Sequence, residues 1–430
     1  MILKYLKQFG FALLLFSFYT SEGQNNLNYE ALIAEASLFH LQKDYKNAIP
    51  KLEKAFSIQE PDALNSYKAA GMYSLDENKT KAFQYLNLSL DTGWTEADQL
   101  LIDPYFDFIR NNYPEEWKVI AQKARLKEQE YEKTLKMPEL RKQINAMGIE
   151  DQKIRYAKIQ TSDPEQLNAL QQKINELDYK NFSVAKEILR TNGWPKISQI
   201  GKDGAHNFWL IVQHSDQDIL FQKEALQEMK KLKETNELDM ENYAFLYDRV
   251  QCNLNYKQLY GTQVNWTRNG KASGFRRILK ENEADKRRVS FGLLPLKIYA
   301  LNYGFIYELP TVEKASKKDK KDIDDTLKLI NEAKKWYQTK EFQKVYDNYN
   351  NASMILGGMT SAQNFEAAEL FAKIYNQTNE EQFRSIALDF LSLNHLRGDL
   401  SLKNLLSNGS FQKFYSEDRW KEIVIALHQH

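Results

Sequence analysis

The two ends of the sequence repeat each other. The segment that begins at Leu32 aligns without a gap with the one that begins at Leu329, and the segment that begins at Leu86 parallels the one that begins at Leu391. Such a duplication indicates one folded module used twice, since each copy must bury the same pattern of apolar side chains. The matched pairs include Lys43 and Lys340, Gly93 and Gly398, Leu100 and Leu405, Phe106 and Phe411, and Trp117 and Trp420.

Each copy has the pattern of paired helices. In the first copy, apolar residues recur at helical spacing on both sides of a Lys-Asp-Tyr break at residues 43–45, which is typical of a tight turn between antiparallel helices. Glycine and proline number only 17 and 9 in 430 residues, so few positions interrupt helices. We therefore predict an all-α fold of stacked helical hairpins, because a single hairpin cannot bury its apolar face alone.

The repeated segments resemble the tetratricopeptide-like superfamily. The resemblance covers residues 28–125 and 326–430, and the closing Gly, Leu-Leu, Phe and Trp-Lys positions resemble the segment that ends some groups of such repeats. It implies helical-hairpin modules at both ends of the chain. It also implies a protein partner, because stacked hairpins commonly offer a concave binding surface.

Residues 1–23 have the composition of a signal peptide. Lys4 and Lys7 precede an apolar run at residues 11–18, and small residues follow at positions 21 and 23. Cleavage would leave an exported protein, either periplasmic or extracellular. The alternative, an N-terminal membrane anchor, requires a longer apolar stretch. We expect no stable membrane insertion after cleavage, because no later segment reaches ~18 uninterrupted apolar residues.

Charge and motif content exclude several classes of protein. The formal net charge is +1, so nothing in the overall charge favours nucleic acid as a partner. Cys252 is the single cysteine, which excludes a disulfide framework and a thiolate zinc site. The sequence has no P-loop, no dinucleotide-binding glycine motif, no nucleophile elbow and no His-Glu-x-x-His. We therefore expect no cofactor.

Charged stretches separate the repeated ends from the centre. Residues 121–136 carry mixed charges at i and i+4, as a solvated helix does. Residues 309–325 have almost nothing apolar to bury, which predicts a flexible charged linker. Between these stretches, residues 140–308 form the predicted central domain, which we expect to be mostly helical.

The central domain contains an ordered series of unusual short sequence motifs. They are QHSDQDILFQ from Gln213, NYAFLYDRV from Asn242, LYGTQ from Leu259 and RRVSFGLLPL from Arg287. In this order they resemble a bacterial domain family of unknown function, whose signature contains Gln-His-x-Asp, Asp-Arg-Val and Tyr-Gly-Thr-Gln. The resemblance brings no established reaction with it. His206 lies outside this pattern.

Gln213 and His214 are the first candidate site residues. They end the apolar run NFWLIV, so we expect them at the edge of the core. A histidine there titrates near neutrality and suits a general base, which makes His214 the candidate catalytic residue, with Gln213 as a candidate ligand contact. The alternative is a structural histidine whose hydrogen bonds are satisfied inside the protein.

The acids that follow His214 have a structural explanation. Residues 215–218 have the form of a capping box, in which Ser215 caps a helix and Asp218 reaches back to it. This explanation covers Asp216 better than Asp218. We therefore keep Asp218, together with Gln222 of the following Phe-Gln pair, as candidate ligand-binding residues.

Asp248, Arg249 and Gln263 complete the candidate set. The helix that carries the Asp-Arg pair is apolar on most sides, so both charges need partners. A carboxylate or a ligand suits Arg249, whereas Arg287 or Arg288 could pair with Asp248. Gln263 ends the LYGTQ word, where glycine permits a tight turn. Together these residues predict a pocket for a neutral or anionic polar ligand; the alternative is a set of salt bridges that lock helices together.

We expect no metal site, because the HSDQD word supplies at best two or three ligands and has no second histidine close by. Three functions then fit the sequence. The first is an exported interaction scaffold whose central domain binds a polar ligand or a partner. The second is a hydrolase with His214 as base and Arg249 holding an anionic group, and the third is a purely structural envelope component. We favour the first, since the repeats are present whereas a complete catalytic set is not.

Overall fold

The computed structural model describes residues 23–428, a range that excludes the predicted signal peptide apart from Gly23. Within it, helices joined by short turns dominate, and the sheet that is present has two strands. The prediction of an all-α fold is confirmed. None of the helices in this range is long and apolar enough to cross a membrane.

The N-terminal module consists of two helical hairpins followed by shorter helices and one long closing helix. Asp44, Asp62 and Asn78 each cap a helix by accepting a hydrogen bond from a backbone N–H three residues on. The helices are α1 (Gly23–Leu41), α2 (Tyr45–Phe56), α3 (Ala63–Leu75), α4 (Lys79–Thr92), α5 (Ala97–Ile102), α6 (Asp107–Asn112) and α7 (Pro114–Glu132), with a 3-10 turn at Pro104–Phe106.

The central segment packs five long helices and a small hairpin around its own hydrophobic cluster. Trp209, Phe208 and Phe245 lie at the centre of this cluster with no exposed surface. The two strands are antiparallel and pair Val264 with Phe275. The elements are α8 (Pro138–Gln160), α9 (Pro164–Asn192), α10 (Ile197–His214), α11 (Ile219–Lys230), α12 (Met240–Asn253), β1 (Val264–Trp266), β2 (Ala272–Phe275), α13 (Ala284–Val289) and α14 (Leu296–Tyr299).

The C-terminal module has two hairpins, a short helix, a 3-10 turn and a final helix, which is the order of the N-terminal module without α6. Its own hydrophobic cluster is distinct from those of the other two segments. The helices are α15 (Val312–Gln338), α16 (Phe342–Ser353), α17 (Ser361–Thr378), α18 (Glu381–Arg397), α19 (Leu402–Ser407) and α20 (Asp418–His428), with the 3-10 turn at Gly409–Phe414.

Matched positions of the two copies share backbone conformation as well as residue type. Lys43 and Lys340 both have φ of 59°, at the turn inside the first hairpin of each module. Gly93 and Gly398 end α4 and α18 with φ of 117° and 83°, a region that favours glycine. The matched leucine, phenylalanine and tryptophan pairs named above are all buried. The repeat in the sequence is thus a repeat in structure.

The prediction of a flexible linker at residues 309–325 is wrong. From Val312 this segment is helical and forms the first half of α15. Lys257 holds it from outside, with its ammonium nitrogen 2.6 Å from Asp319 and 2.8 Å from Asp322, and Arg277 pairs with the same two acids. Ion pairs to distant residues thus hold a segment in which Ala315 is the buried apolar residue.

Both terminal modules contact the central segment through polar side chains that reach backbone carbonyls. The guanidinium of Arg397 donates to the carbonyl oxygen of Leu254 at 2.9 Å, and the ammonium of Lys223 donates to that of Leu396 at 2.9 Å. On the other side, Arg141 donates to the carbonyl oxygen of Thr95 at 2.9 Å. The central segment therefore lies between the modules and holds the predicted site residues.

Candidate functional site

Helix α10 carries the apolar run into the core and ends at His214. Every residue from 207 to 212 is buried. The predicted capping box with Ser215 as cap is wrong, because α11 begins at Ile219, three residues later than such a box requires. Asp218 is the cap instead and accepts a hydrogen bond from the N–H of Phe221 at 2.9 Å. The hydroxyl of Ser215 donates back to Ile211.

The imidazole of His214 faces a buried carboxylate from another helix. Its Nδ1 lies 3.2 Å from both carboxylate oxygens of Asp151 on α8, whose side chain is 1% exposed. Arg155, one turn further along α8, donates through Nε to the same carboxylate at 3.0 Å and also pairs with Asp178 of α9. His214, Asp151, Arg155 and Asp178 thus form one group, which joins three helices.

Asp216 is the centre of a second group, with Arg249, Asn253 and Gln222. We call the two groups together the His214 cluster. Asp216 lies in the turn between α10 and α11 and receives two hydrogen bonds from the guanidinium of Arg249 on α12, at 2.8 and 2.5 Å. The side-chain amide of Asn253 donates to it at 2.9 Å, and that of Gln222 at 3.4 Å. The carboxylate that was expected to satisfy Arg249 is therefore that of Asp216, 33 positions earlier in the chain.

The pKa shifts show that the two groups act on each other. Burial alone would raise the pKa of Asp151, but His214 and Arg155 outweigh it and hold that pKa well below its usual range. Burial would likewise raise the pKa of Asp216, which Arg249 lowers. Burial raises the pKa of Asp178, and the nearby charges of Asp151 and Asp216 raise it further against Arg155. The acids share one electrostatic environment.

A metal-ligand arrangement exists at this point. Oxygen and nitrogen atoms of Asp151, Asp178 and His214 all lie within 4.8 Å of one another. However, the guanidinium of Arg155 donates to both carboxylates, so a cation already occupies the position between them. A divalent ion would have to displace Arg155, and we build no role on a metal here.

Asp248 and Gln263 belong to a different group. The fully buried carboxylate of Asp248 accepts hydrogen bonds from the N–H groups of Leu259, Tyr260 and Thr262 and from the Thr262 hydroxyl, at 2.7 to 3.1 Å. Gln263 donates to that same hydroxyl at 3.1 Å. These residues shape the LYGTQ loop and bond to one another.

The predicted pairing of Asp248 with Arg287 or Arg288 is wrong, because both arginines donate to backbone carbonyls instead. Arg287 donates to the carbonyl oxygen of Leu259 at 2.9 Å, and Arg288 donates to that of Tyr260 at 2.6 Å. Consecutive peptides of the loop thus point their N–H groups at the acid and their carbonyls at the arginines. Backbone peptide groups therefore lie between Asp248 and the two arginines. Because the backbone makes these contacts, no spacing of charged residues in the sequence predicted them.

Gln213 and Gln222 are both buried beside the cluster. The amide of Gln222 donates to the carbonyl oxygens of Val212 and Gln213, at 3.1 and 3.2 Å, and so ties α11 to the end of α10. The side-chain oxygens of Gln213 and Gln222 are buried with no hydrogen-bond partner. Of the predicted residues, His214, Gln222 and Arg249 therefore converge, whereas Asp218 caps a helix and pairs with Lys186.

Sequence reasoning missed Asp151, Arg155 and Asp178. Asp151 and Arg155 stand four residues apart on a polar helix, a spacing that is common for exposed pairs, and no local feature marks them as buried. Asp216 was explained as part of a helix cap. The signal that could have found it is the charge of Arg249, which required a partner on an enclosed helix.

Comparison with known proteins bears on the segment that holds this cluster. A search of curated proteins and a search of solved structures each found no significant match. Residues 138–309 match a family of unknown function (DUF6624), in agreement with the expected resemblance over residues 140–308. The central segment of this mostly helical protein is therefore similar to a family whose function is not established.

Proposed function

We propose that this protein is an exported helical-repeat scaffold whose central domain binds a polar ligand or a partner at the His214 cluster. The observation that carries the proposal is the convergence of charged side chains from α8, α9, α10, α12 and the turn before α11 at one partly exposed place. The two repeated modules, which resemble tetratricopeptide-like hairpins, would present this domain and offer further surface to a protein partner.

The chemistry of the cluster narrows what it would bind. Arg155 and Arg249 already bond to carboxylates of the protein, so a simple anion would have to compete with Asp178 and Asp216. A group with both donors and acceptors can exchange with these pairs one bond at a time and leave no charge unpaired. The cluster thus favours a polar group that carries donors and acceptors together, such as an amide or an amino acid.

Binding can be tested on the full chain with a thermal-shift panel of amino acids, dipeptides and sugars. A ligand at about 100 times its Kd stabilises the folded state by about 2.7 kcal/mol, which is a measurable rise in Tm. We expect at least one compound to raise the Tm of the wild type. His214→Ala and Arg249→Lys should abolish the shift, because one removes the imidazole and the other the guanidinium fork.

Gln263→Ala is the matched control, since Gln263 lies in the separate Asp248 group. It should keep the shift. If His214→Ala and Arg249→Lys respond to the compound as the wild type does, or if no compound shifts the wild type, the cluster is structural and the proposal fails. Native mass spectrometry of the purified chain would provide a second readout of a bound compound.

The pairing of His214 with Asp151 favours one alternative function. A carboxylate on Nδ1 fixes the orientation of an imidazole and stabilises its protonated form, which is how a general base is supported in hydrolases. In that case Arg249 would have to leave Asp216 in order to hold an anionic substrate group. Turnover of a panel of ester, phosphoester and peptide substrates that is lost in His214→Ala and weakened in Asp151→Asn would establish this function over simple binding.

A further inference from the structure

Four aromatic side chains of the central segment close a circuit of ring contacts. Tyr243 and Tyr247 lie one turn apart on α12, Tyr260 lies in the LYGTQ loop, and Phe291 follows α13. The distance between ring centroids is 6.1 Å from Tyr243 to Tyr247, 5.9 Å from there to Tyr260, 4.6 Å on to Phe291 and 6.0 Å back to Tyr243. Each distance is in the range of attractive aromatic pairs, so the four rings form one packed group, the aromatic cluster.

Three of the four sequence motifs meet in the aromatic cluster. The NYAFLYDRV motif supplies Tyr243 and Tyr247, LYGTQ supplies Tyr260, and RRVSFGLLPL supplies Phe291. None of these side chains belongs to the His214 cluster. The function proposed above therefore does not account for their convergence.

Hydrogen bonds of the backbone hold two of the rings in position. The N–H of Tyr260 donates to the carboxylate of Asp248 at 3.0 Å, and its carbonyl oxygen accepts a bond from Arg288 at 2.6 Å. The N–H of Phe291 donates to the carbonyl oxygen of Arg288 at 2.9 Å. Asp248 and Arg288 are both fully buried. Because the rings are placed by the protein itself, a ligand that binds to them has little ordering cost to overcome.

The ammonium group of Lys233 already lies on the aromatic cluster. Lys233 is in the turn between α11 and α12, and its Nζ is 5.2 Å from the ring centroid of Tyr243 and 4.7 Å from that of Phe291. Within residues 23–428, no acid forms an ion pair with this ammonium. Aromatic faces attract a cation through the negative charge above the ring plane. The lysine thus shows that a positively charged nitrogen fits at this place.

A trimethylammonium group suits these ring faces better than a lysine ammonium does. Lysine carries three N–H donors, which ring faces do not satisfy and which keep the group strongly hydrated. Trimethylammonium has no N–H donor, and its methyl groups bring the positive charge to the ring surface, so it loses less hydration on binding. Proteins use clusters of aromatic rings to recognise quaternary ammonium groups for this reason.

Displacing Lys233 from the rings costs little. An exposed contact between a lysine and an aromatic ring changes an equilibrium constant by a factor of only about 2 to 5. The Lys233 side chain is half-buried and has a flexible four-carbon stem, so its ammonium can move into water. The rings of Phe291 and Tyr247 are half-buried as well, which leaves them open to a ligand from solvent.

We propose that the aromatic cluster binds a trimethylammonium group, as in choline, and that Lys233 occupies the site until such a ligand displaces it. The three motifs that meet here supply the rings, and the turn before α12 supplies the internal occupant. This site is independent of the function proposed for the His214 cluster.

Isothermal titration calorimetry of the full chain compares choline with dimethylbutanol, its neutral isostere, in which carbon replaces the charged nitrogen. We expect dimethylbutanol to bind at least about 10-fold more weakly, because it has the shape of choline without the charge. This comparison uses the wild type alone and does not depend on the folding of a variant. Cosedimentation with phosphatidylcholine vesicles is a second arm. Choline binding without cosedimentation assigns the site to a free ligand, and both together assign it to a lipid headgroup.

Variants test the part played by Lys233. Lys233→Ala removes the competing ammonium and should bind choline about 2- to 5-fold more tightly than the wild type. Phe291→Leu removes one ring, keeps an apolar side chain and should weaken binding by about 10-fold. Lys231→Ala is the matched control, since the Lys231 side chain is 67% exposed and pairs with Glu228. It should bind choline as the wild type does.

Three results would overturn the proposal. They are failure of choline to bind Lys233→Ala at up to about 10 mM, equal affinities of the wild type for choline and dimethylbutanol, and equal choline affinities of Lys233→Ala and the wild type. The first two would show that the rings do not recognise a quaternary ammonium group. The third would show that Lys233 does not occupy the place where choline binds.

Discussion

Asp151 is the residue on which the His214 cluster depends most. Three neighbouring side chains, those of Gln152, Arg155 and His214, donate to its buried carboxylate. Removing the negative charge would leave the partly buried guanidinium of Arg155 with Asp178 as its remaining carboxylate partner. Unpaired buried charge is among the most destabilising changes a substitution can cause.

We therefore predict that Asp151→Asn lowers the free energy of unfolding by about 3 kcal/mol at pH 7. The pKa of Asp151 is below its value in the unfolded chain, about 3.9, so its stabilising contribution is present above that pH and is lost as the pH falls further. The difference between variant and wild type should narrow below about pH 4. Urea unfolding curves at pH 7 and pH 3 measure this.

Asp418→Asn is the control for this pH dependence, because the Asp418 side chain is 92% exposed and its partner Lys421 stands one helical turn away. Its unfolding curves should match the wild type at both pH values. An Asp151→Asn protein as stable as the wild type at pH 7 would show that the pairs with Arg155 and His214 contribute nothing.

A second prediction concerns Asp248, whose carboxylate organises the LYGTQ loop. Asp248→Ala leaves three buried backbone N–H groups without an acceptor, so we expect a loss of about 3–5 kcal/mol in the free energy of unfolding. Gln263→Ala, in the same loop, removes a single side-chain bond and should cost no more than about 1.5 kcal/mol. Equal stability of the two variants in thermal unfolding would contradict this account of the loop.

The sequence indicated which single residues need partners, but not which partners they find. Enclosure of α12 by apolar residues predicted that Arg249 requires a carboxylate, and the structure supplies Asp216. The same reasoning suggested an arginine for Asp248, where peptide N–H groups serve instead. Local composition predicts that a buried charge needs a partner. Whether that partner is a side chain or a backbone peptide group depends on how distant segments pack together.

Helix α15 shows the same limit for a whole element. Its first half is a charged run with few apolar residues, and this composition by itself predicts a flexible chain. The structure makes it helical because Lys257 and Arg277 pair with Asp319 and Asp322, and Lys318 pairs with Glu281. These partners stand about 40 to 60 positions away along the chain, beyond the reach of any local pattern.

Lys257 is the most buried cation of this set, so we predict that Lys257→Ala loosens the first half of α15. Amide hydrogens of residues 312–325 should exchange about tenfold faster than in the wild type, which corresponds to a loss of about 1.4 kcal/mol in local stability. Hydrogen-exchange mass spectrometry measures this segment directly. Lys321→Ala is the control, since its ammonium is exposed and pairs only one turn away with Asp325. Unchanged exchange in Lys257→Ala would mean that the segment is helical without its distant partner.

The duplication of the terminal modules was visible in the sequence because the local backbone conformation requires the repeated residues. A glycine ends a helix at Gly93 and Gly398, and a left-handed lysine turns the chain at Lys43 and Lys340. Such positions depend on their own backbone conformation and recur wherever the module recurs. How each module meets the central segment is not repeated, because the two copies contact different surfaces of it.

Arg397 illustrates this divergence and leads to the last prediction. Its counterpart in the first module is Thr92, whose hydroxyl bonds to Leu88 within its own helix. Arg397 instead reaches out of α18, donates to the carbonyl oxygens of Leu254 and Met359, and lies 4.3 Å from the ring of Tyr256. The two modules thus differ at this matched position. Thr92 bonds within its own helix, whereas Arg397 contacts the central segment.

If this contact couples the C-terminal module to the central segment, Arg397→Ala should cost about 2–3 kcal/mol and split one thermal unfolding transition into two. Arg419→Ala serves as control, because Arg419 pairs with Asp389 inside the module. It should shift the transition slightly without splitting it. Differential scanning calorimetry distinguishes the two cases. A single, unsplit transition in Arg397→Ala would show that the remaining contacts, among them that of Lys223 with Leu396, are enough to make the module and the central segment unfold as one.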